Sequence, residues 1–208
     1  LRVESRGMIW YGAEAMSADF VLSNGSLPRP RTTLIGREVE VAAARAYLLD
    51  DAVPLLTLTG PGGVGKTRLA LAIAGDMAGH FTDGIVWVDL SPLVDPGLVA
   101  GTIAAALAIT LSPERPVTEA MAAALRHEQR LFILDNCEHV LGVTANLAAA
   151  LLAGCPAVQV LATSRAPLRV RGEQLFPVPP LPVPAMGATS LDAVQAESAV
   201  KLFVQRAC

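Results

Sequence analysis

A glycine-rich segment directly after a short apolar run constrains the fold of this chain more than any other feature. Residues 55–59 (LLTLT) predict a buried strand, and Leu69, Ile73 and Met77 predict one face of a helix. Between them lies the sequence GPGGVGKT, which consists of Gly60, Pro61, Gly62, Gly63, Val64, Gly65, Lys66 and Thr67. This pattern between a strand and a helix is typical of a phosphate-binding loop.

The residue types of this loop suit polyphosphate. Glycines let consecutive backbone N–H groups converge on phosphate oxygens, and the helix N-terminus adds a favourable dipole. We expect Lys66 to neutralise the β- and γ-phosphates and Thr67 to bind Mg²⁺. The alternative interpretation is a glycine-rich turn that holds no ligand.

Strands and helices alternate along the rest of the chain, which favours an α/β fold with a parallel sheet covered on both faces. The predicted strands are 55–59, 84–90, 131–134, 158–162 and 174–178, and the predicted helices include 98–109, 118–127, 144–153 and 191–208. We expect Thr118 to cap its helix and Val39, Ala43 and Tyr47 to form the buried face of an earlier one. Residues 177–184 are proline-rich and read either as a polyproline ligand or as a stiff crossing.

Polar residues at the ends of two predicted strands are candidates for catalysis. Asp135 follows LFIL and is expected to hold Mg²⁺ together with Thr67. Many ATPases with a phosphate-binding loop have a second acid at the position that Asn136 occupies here. Because an amide cannot accept a proton, we expect slow hydrolysis of ATP. Glu138 either replaces that acid or caps the next helix. Arg165 follows strand 158–162 and is expected to contact the γ-phosphate and detect its loss.

Charge and cysteine content narrow the possible partners and location. The chain has sixteen Lys and Arg and nineteen Asp and Glu, and its basic residues form no cluster in the sequence. We therefore expect no direct DNA binding by this piece. Three cysteines without a Cys-x-x-Cys pair favour a reducing cytoplasm over a disulfide scaffold. The uncharged stretches 96–113 and 140–164 are too weakly apolar or too interrupted to cross a membrane.

Four segments occur in an order that resembles a known class of ATPases. They are 34–38 (LIGRE), 60–67, 131–139 (LFILDNCEH) and 161–165 (LATSR). Together they resemble the STAND signal-transduction ATPases, most of all the ATPase modules of large LuxR- and AfsR-type bacterial transcriptional regulators, relatives of NB-ARC domains. The resemblance covers residues 28–208 and implies a P-loop NTPase sandwich with a five-stranded parallel sheet in the order 5-1-4-3-2.

The resemblance also implies roles for individual residues. It places Ile35, Gly36 and Arg37 at the adenine, Lys66, Thr67 and Asp135 at the phosphates and Mg²⁺, and Arg165 at the γ-phosphate. Arg68 is a further expected nucleotide-binding residue. The implied function is a switch between ATP and ADP with slow hydrolysis. The implied partners are other domains of the same protein, with self-assembly on activation as a further expectation.

Two alternatives remain open: a scaffold with a vestigial nucleotide site, and a small-molecule kinase, although no arginine-rich lid is evident. Residues 1–27 resemble nothing that we can name and are interpreted as a linker or the tail of an upstream module. Helical and winged-helix domains are expected beyond residue 208.

Overall fold

Short apolar runs form the strands that position the candidate site. The computed structural model describes residues 22–24, 27–50, 52–112, 114–184 and 190–207. The strands are β1 (Leu22–Asn24), β2 (Leu55–Thr59), β3 (Ile85–Asp89), β4 (Leu131–Asp135), β5 (Gln159–Ser164) and β6 (Glu173–Pro177). The helices are α1 (Glu38–Leu48), α2 (Lys66–Met77), α3 (Val99–Ala106), α4 (Val117–Leu125), α5 (Leu141–Gly154), α6 (Leu191–Ala196) and α7 (Ser198–Ala207). Short 3₁₀ turns lie at Pro96–Leu98 and Cys137–His139.

The sheet has the order β1-β3-β4-β5-β2-β6. All pairings among β2 to β6 are parallel, and counting from β2 they follow the predicted order 5-1-4-3-2, so the predicted fold is confirmed. The sequence did not predict β1, which pairs antiparallel with β3 and covers its edge. Three residues of the segment interpreted as a linker therefore belong to the sheet, whereas residues 1–21 and 25–26 lie outside the described residues.

Helices cover both faces of this sheet, which explains why every residue of the central strand β4 is buried. Leu56, Leu69 and Ile73 belong to the apolar cluster on the face that α1 and α2 cover. Residues from α3, α4 and α5 form the cluster on the opposite face. The carboxyl ends of the parallel strands meet at one edge, where β2, β4 and β5 deliver the candidate site residues.

Three expectations about the helices are wrong. The buried face of α1 is formed by Ala44 and Leu48, whereas Val39 is 79% exposed. The N-cap of α4 is Pro116 rather than Thr118. The expected single helix over 191–208 is divided into α6 and α7 at Glu197, and residue 208 lies outside the described part. None of the helices in the described ranges has the length and apolar run needed to cross a bilayer.

Candidate functional site

The loop between β2 and α2 adopts conformations that require glycine at two points. Gly60 has a φ of 148°, and a Cβ there would lie 2.9 Å from the Val178 carbonyl oxygen. Gly65 caps α2 in the left-handed region, with a φ of 95°. A larger residue would be strained at either position. The loop therefore curls back over the first turn of α2, as a phosphate-binding loop does.

Lys66 lies inside this curl and is only 8% exposed. Its Nζ donates hydrogen bonds to the carbonyl oxygens of Gly60, at 2.9 Å, and Pro61, at 3.1 Å. A buried ammonium group needs such partners because removing a charge from water is costly. The positive charge is thus held against the backbone of the loop, and its contact with phosphate stays a prediction.

Asp135 comes from the end of β4 and meets the start of α2. Its Oδ1 accepts hydrogen bonds from Thr67 Oγ1, at 2.9 Å, and from Thr163 Oγ1, at 2.5 Å. The structure thus brings together the two residues that the sequence assigned to Mg²⁺. Thr163, which lies near the end of β5, was not among the predicted site residues; its only signal was a hydroxyl in the TSR segment.

The environment of Asp135 suits a cation. Burial raises the pKa of this carboxyl, and the nearby charges of Asp89 and Glu138 raise it further, while hydrogen bonds from Thr163 and Thr67 lower it. A cation would relieve this destabilisation of the charged form. A carboxylate beside a threonine hydroxyl is a set of hard oxygen donors, which Mg²⁺ prefers, so Asp135 and Thr67 fit this ion.

Asn136 is anchored by both its backbone and its side chain. It adopts a left-handed conformation with a φ of 64°, and its backbone N–H donates to Thr163 Oγ1 at 3.0 Å. Its Nδ2 donates to Ser91 Oγ at 2.6 Å, and the Ser91 hydroxyl in turn donates to Asp89 Oδ1. Asp89 and Ser91 were not among the predicted site residues. The available signal was an acid at the end of strand 84–90, which aligns with Asp135 in the sheet.

Arg165 reaches the phosphate-binding loop from the end of β5. Its Nε donates to Glu138 Oε1 at 3.0 Å. A Cβ on Gly62 would lie 3.2 Å from Arg165 Nη2, so the guanidinium lies against the loop. Glu138 Oε2 is buried and has no hydrogen-bond partner among the described residues. Two candidates from separate motifs are therefore in contact, beside the glycines.

A groove of about 540 Å³ extends from the loop to α7. It is lined by residues 32–35, Arg37, residues 62–65, Arg68, Pro180, Leu181, Ala199, Leu202 and Arg206. Ile35 is among them, and the adenine contact predicted for it stays a prediction. The last five residues were missed, because only the folded chain brings them beside the loop; the one signal was the amphipathic pattern of residues 198–207.

Arg37 and Arg68 line this groove, and Gly36 lies beside it in the chain, next to Ile35 and Arg37. Arg37 is 3% exposed and donates to the carbonyl oxygens of Val64, at 3.1 Å, and Pro179, at 2.6 Å. Gly36, with a φ of 64°, packs directly against Ser198 of α7. Arg68 Nη1 donates to Thr32 Oγ1 at 2.9 Å. These contacts give the three residues structural roles, and the nucleotide contacts that the resemblance assigned to them stay predictions.

Comparisons with known proteins agree with this architecture. The family model described as NB-ARC domain matches residues 37–167. A putative HTH-type transcriptional regulator of Mycobacterium tuberculosis is 39% identical over 153 residues, which are 74% of this chain and 16% of that protein. The regulatory protein AfsR of Streptomyces griseus is 27% identical over 197 residues, with 88% of this chain and 18% of AfsR covered. This chain thus spans less than a fifth of either regulator.

Among solved structures, a STAND protein with a tetratricopeptide repeat sensor from Pyrococcus horikoshii superposes with a TM-score of 0.56. The two sequences are 17% identical, and the match covers 85% of this chain and 28% of that one. At this level of identity the likeness shows a shared fold.

Proposed function

This chain belongs to the NB-ARC family, and on that premise we propose that residues 28–208 form a nucleotide-binding domain that holds ATP or ADP with Mg²⁺ in the groove. The hydrogen bond between Thr67 and Asp135, at 2.9 Å, is the observation that carries the proposal. It joins the loop to the end of β4 and so places a hydroxyl and a carboxylate beside the buried charge of Lys66.

Each residue then has a defined task. The loop N–H groups and Lys66 bind the phosphates, while Thr67 and Asp135 hold Mg²⁺, which when bound neutralises phosphate charge. Thr163 holds Asp135 in place through its hydroxyl. Arg165 lies against Gly62, within the part of the loop where a terminal phosphate binds. The apolar end of the groove, at Ile35 and Leu202, receives the base.

We propose that hydrolysis of ATP by this domain is slow. Asn136 cannot accept a proton, and its amide is held by Ser91. Glu138 Oε1 is paired with Arg165 and Oε2 is buried, so neither oxygen is placed to take a proton from water. The nucleotide bound would then change rarely, which suits a switch better than a motor.

The relatives named as regulators support a role for this switch in transcription, in the cytoplasm and together with other domains of the same protein. ATP and ADP share the base and most loop contacts, so only the γ-phosphate, Mg²⁺ and Arg165 distinguish the two states. A complete shift between two states requires about 5.5 kcal/mol of differential binding. One arginine does not supply this alone, and we therefore expect the remaining domains, or self-assembly, to contribute.

Titration of this chain with ATP and with ADP, in the presence of Mg²⁺, tests the proposal. We expect Lys66→Ala to weaken both nucleotides by about 150-fold, as is usual when one partner of a buried charge pair is removed. Lys201→Ala is the matched control, because Lys201 is exposed on α7 and does not line the groove. If the folded wild-type chain bound neither nucleotide, a scaffold with a vestigial site would be the better interpretation.

A further inference from the structure

The ion pair between Glu138 and Arg165 joins two strand ends beside the phosphate-binding loop. We propose that Glu138 is a positioning residue, which holds the Arg165 guanidinium against the loop so that the domain binds ATP in preference to ADP. This role rests on the proposed function, because it requires nucleotide in the groove.

The geometry leaves Arg165 able to contact phosphate while it is paired. Glu138 Oε1 engages Nε at 3.0 Å, which occupies one N–H of a group that carries five. The terminal Nη2 is the guanidinium atom closest to a Cβ built on Gly62, at 3.2 Å, whereas Nε is 3.9 Å away. The ion pair thus uses the Nε–H group, and the terminal nitrogen Nη2 lies nearest to the loop.

Arg165 needs such a partner because its side chain is 65% exposed. A long exposed arginine samples many rotamers, and ordering it at the moment of binding costs free energy. Glu138 is itself only 22% exposed and sits in the 3₁₀ turn Cys137–His139, which directly follows the end of β4. The less mobile of the two side chains therefore restrains the more mobile one before nucleotide arrives.

Two other roles for Glu138 fit the structure less well. Helix α5 begins at Leu141 with Val140 as its N-cap and has no side-chain cap bond, so Glu138 is not its cap. A general base would need a carboxylate oxygen that a water molecule can reach, but Oε1 is engaged by Arg165 and Oε2 is buried. Within the part of the chain that the structure describes, the buried Oε2 has no hydrogen-bond partner, which lowers stability, so this arrangement is better explained by an effect on Arg165.

The affinities of ATP and ADP, measured separately in Mg²⁺, test this role without relying on hydrolysis. We expect Glu138→Ala to weaken ATP about fivefold, the usual cost of ordering one long side chain, and to leave ADP within twofold. Glu138→Gln should retain nearly wild-type affinity for ATP, because its amide oxygen still accepts from Nε. In a Glu138→Ala/Arg165→Ala double variant, ATP binding should be no weaker than in Arg165→Ala alone.

Two further variants make the result specific. Glu138→Asp keeps the charge but shortens the reach, so it should resemble Glu138→Ala, and it also serves if the alanine variant does not fold. Glu128→Ala is the matched control, because Glu128 forms an ion pair with Arg130 at 2.6 Å and does not line the groove. Its affinities for both nucleotides should equal those of the wild type.

Several outcomes would overturn the positioning role. Tighter ATP binding by Glu138→Ala would show that the ion pair competes with phosphate. Equal losses for ATP and ADP, unchanged ATP binding, or a Gln variant as weak as the Ala variant would also contradict it. If the wild-type chain bound no nucleotide, the proposed function would fail first, which the titration reveals before any variant is made.

Discussion

At the phosphate end of the groove, the side chains come from one loop and the ends of β4 and β5, each marked by a local sequence pattern, whereas at the base end they come from segments without such a pattern. Lys66 and Thr67 are adjacent, and a single hydrogen bond joins Thr67 to Asp135. The base end combines residues 32–35 with Leu181 and Leu202, and α7 lies against it. Each residue at the phosphate end has a local signal in the sequence, whereas the residues at the base end are recognised only from the folded structure.

The two ends also differ in chemistry. Lys66, Asp135 and Thr163 are buried polar groups held by hydrogen bonds, so the phosphate end is organised before any ligand binds. Helix α7 has no buried residue and is held to the domain by a few contacts, such as Gly36 against Ser198. We therefore expect changes at the phosphate end to abolish recognition and changes at the base end to adjust it.

Arg37 belongs to both ends, because it lines the base end and also donates to the loop carbonyl of Val64. Arg37→Ala removes the donor to two part-buried carbonyl oxygens, so we expect the free energy of unfolding to fall by about 3 kcal/mol, a decrease in Tm of roughly 6–12 °C. Thermal unfolding without nucleotide measures this. Arg45→Ala, which changes an exposed residue of α1, is the control. An unchanged Tm together with lost nucleotide affinity would show that Arg37 contacts the base and does not stabilise the loop.

Gly36 tests whether α7 must lie close to the base end. In Gly36→Ala a Cβ would lie 2.0 Å from Ser198 Oγ, in a backbone conformation that alanine rarely adopts. We expect nucleotide affinity to fall about tenfold, which corresponds to about 1.4 kcal/mol. Calorimetric titration measures the change, and Gly36→Ala/Ser198→Gly should recover part of the loss by removing the clash. Wild-type affinity in the single variant would show that the contact has no bearing on binding.

Asp135 should show opposite effects on stability and binding. Burial raises its pKa, so its contribution to stability is lost as the pH rises from the ordinary aspartate pKa through the raised one. Asp135→Asn removes this loss, and near pH 7, without Mg²⁺ or nucleotide, we expect a Tm higher by roughly 2–4 °C, about 1 kcal/mol.

The same Asp135→Asn substitution should weaken the Mg²⁺ dependence of ATP binding, because an amide is a poorer ligand than a carboxylate. Tm measured from pH 4 to 8 should vary less in Asp135→Asn than in the wild type. Asp76→Asn, at an exposed position of α2, should leave the wild-type pH profile unchanged. A lower Tm for Asp135→Asn at pH 7 would contradict the assignment of a buried, destabilised charge.

Leu202 should give the smallest effect, because it lines the groove from the loosely held helix. We expect Leu202→Ala to weaken ATP and ADP equally, by about threefold, since only part of the apolar area of one side chain is lost. Phe203→Ala is the matched control, as Phe203 is 72% exposed and does not line the groove. A loss as large as that of Lys66→Ala would erase the distinction between the two ends.

The difference between the two ends also explains what the sequence could predict. The loop, Asp135 and Arg165 follow local patterns, namely a glycine spacing and polar residues after apolar strands, and the structure brings them together. Leu181 and Leu202 line the groove through long-range packing that has no local signature.

The mistaken face of α1 has a related cause. Ala44 and Leu48 share the four-residue spacing of Val39, Ala43 and Tyr47, so periodicity in a short alanine-rich helix does not choose between the two stripes. Contact with the neighbouring elements decides which stripe of α1 is buried. Tyr47 lies at the edge of the sheet, where its ring packs edge-on against that of Phe176 with the ring centroids 6.4 Å apart, and Ala44 and Leu48 are buried instead.

The segment that leaves β6 touches both ends in turn. Val178 N–H donates to Thr59 at 2.7 Å, Pro179 accepts from Arg37, and Pro182 accepts from Ala199 N–H at 3.2 Å. Because proline fixes φ, this stretch has little freedom to absorb a displacement by rotating its own bonds. This segment is therefore stiff, and a displacement of the backbone beside the loop would also displace α7.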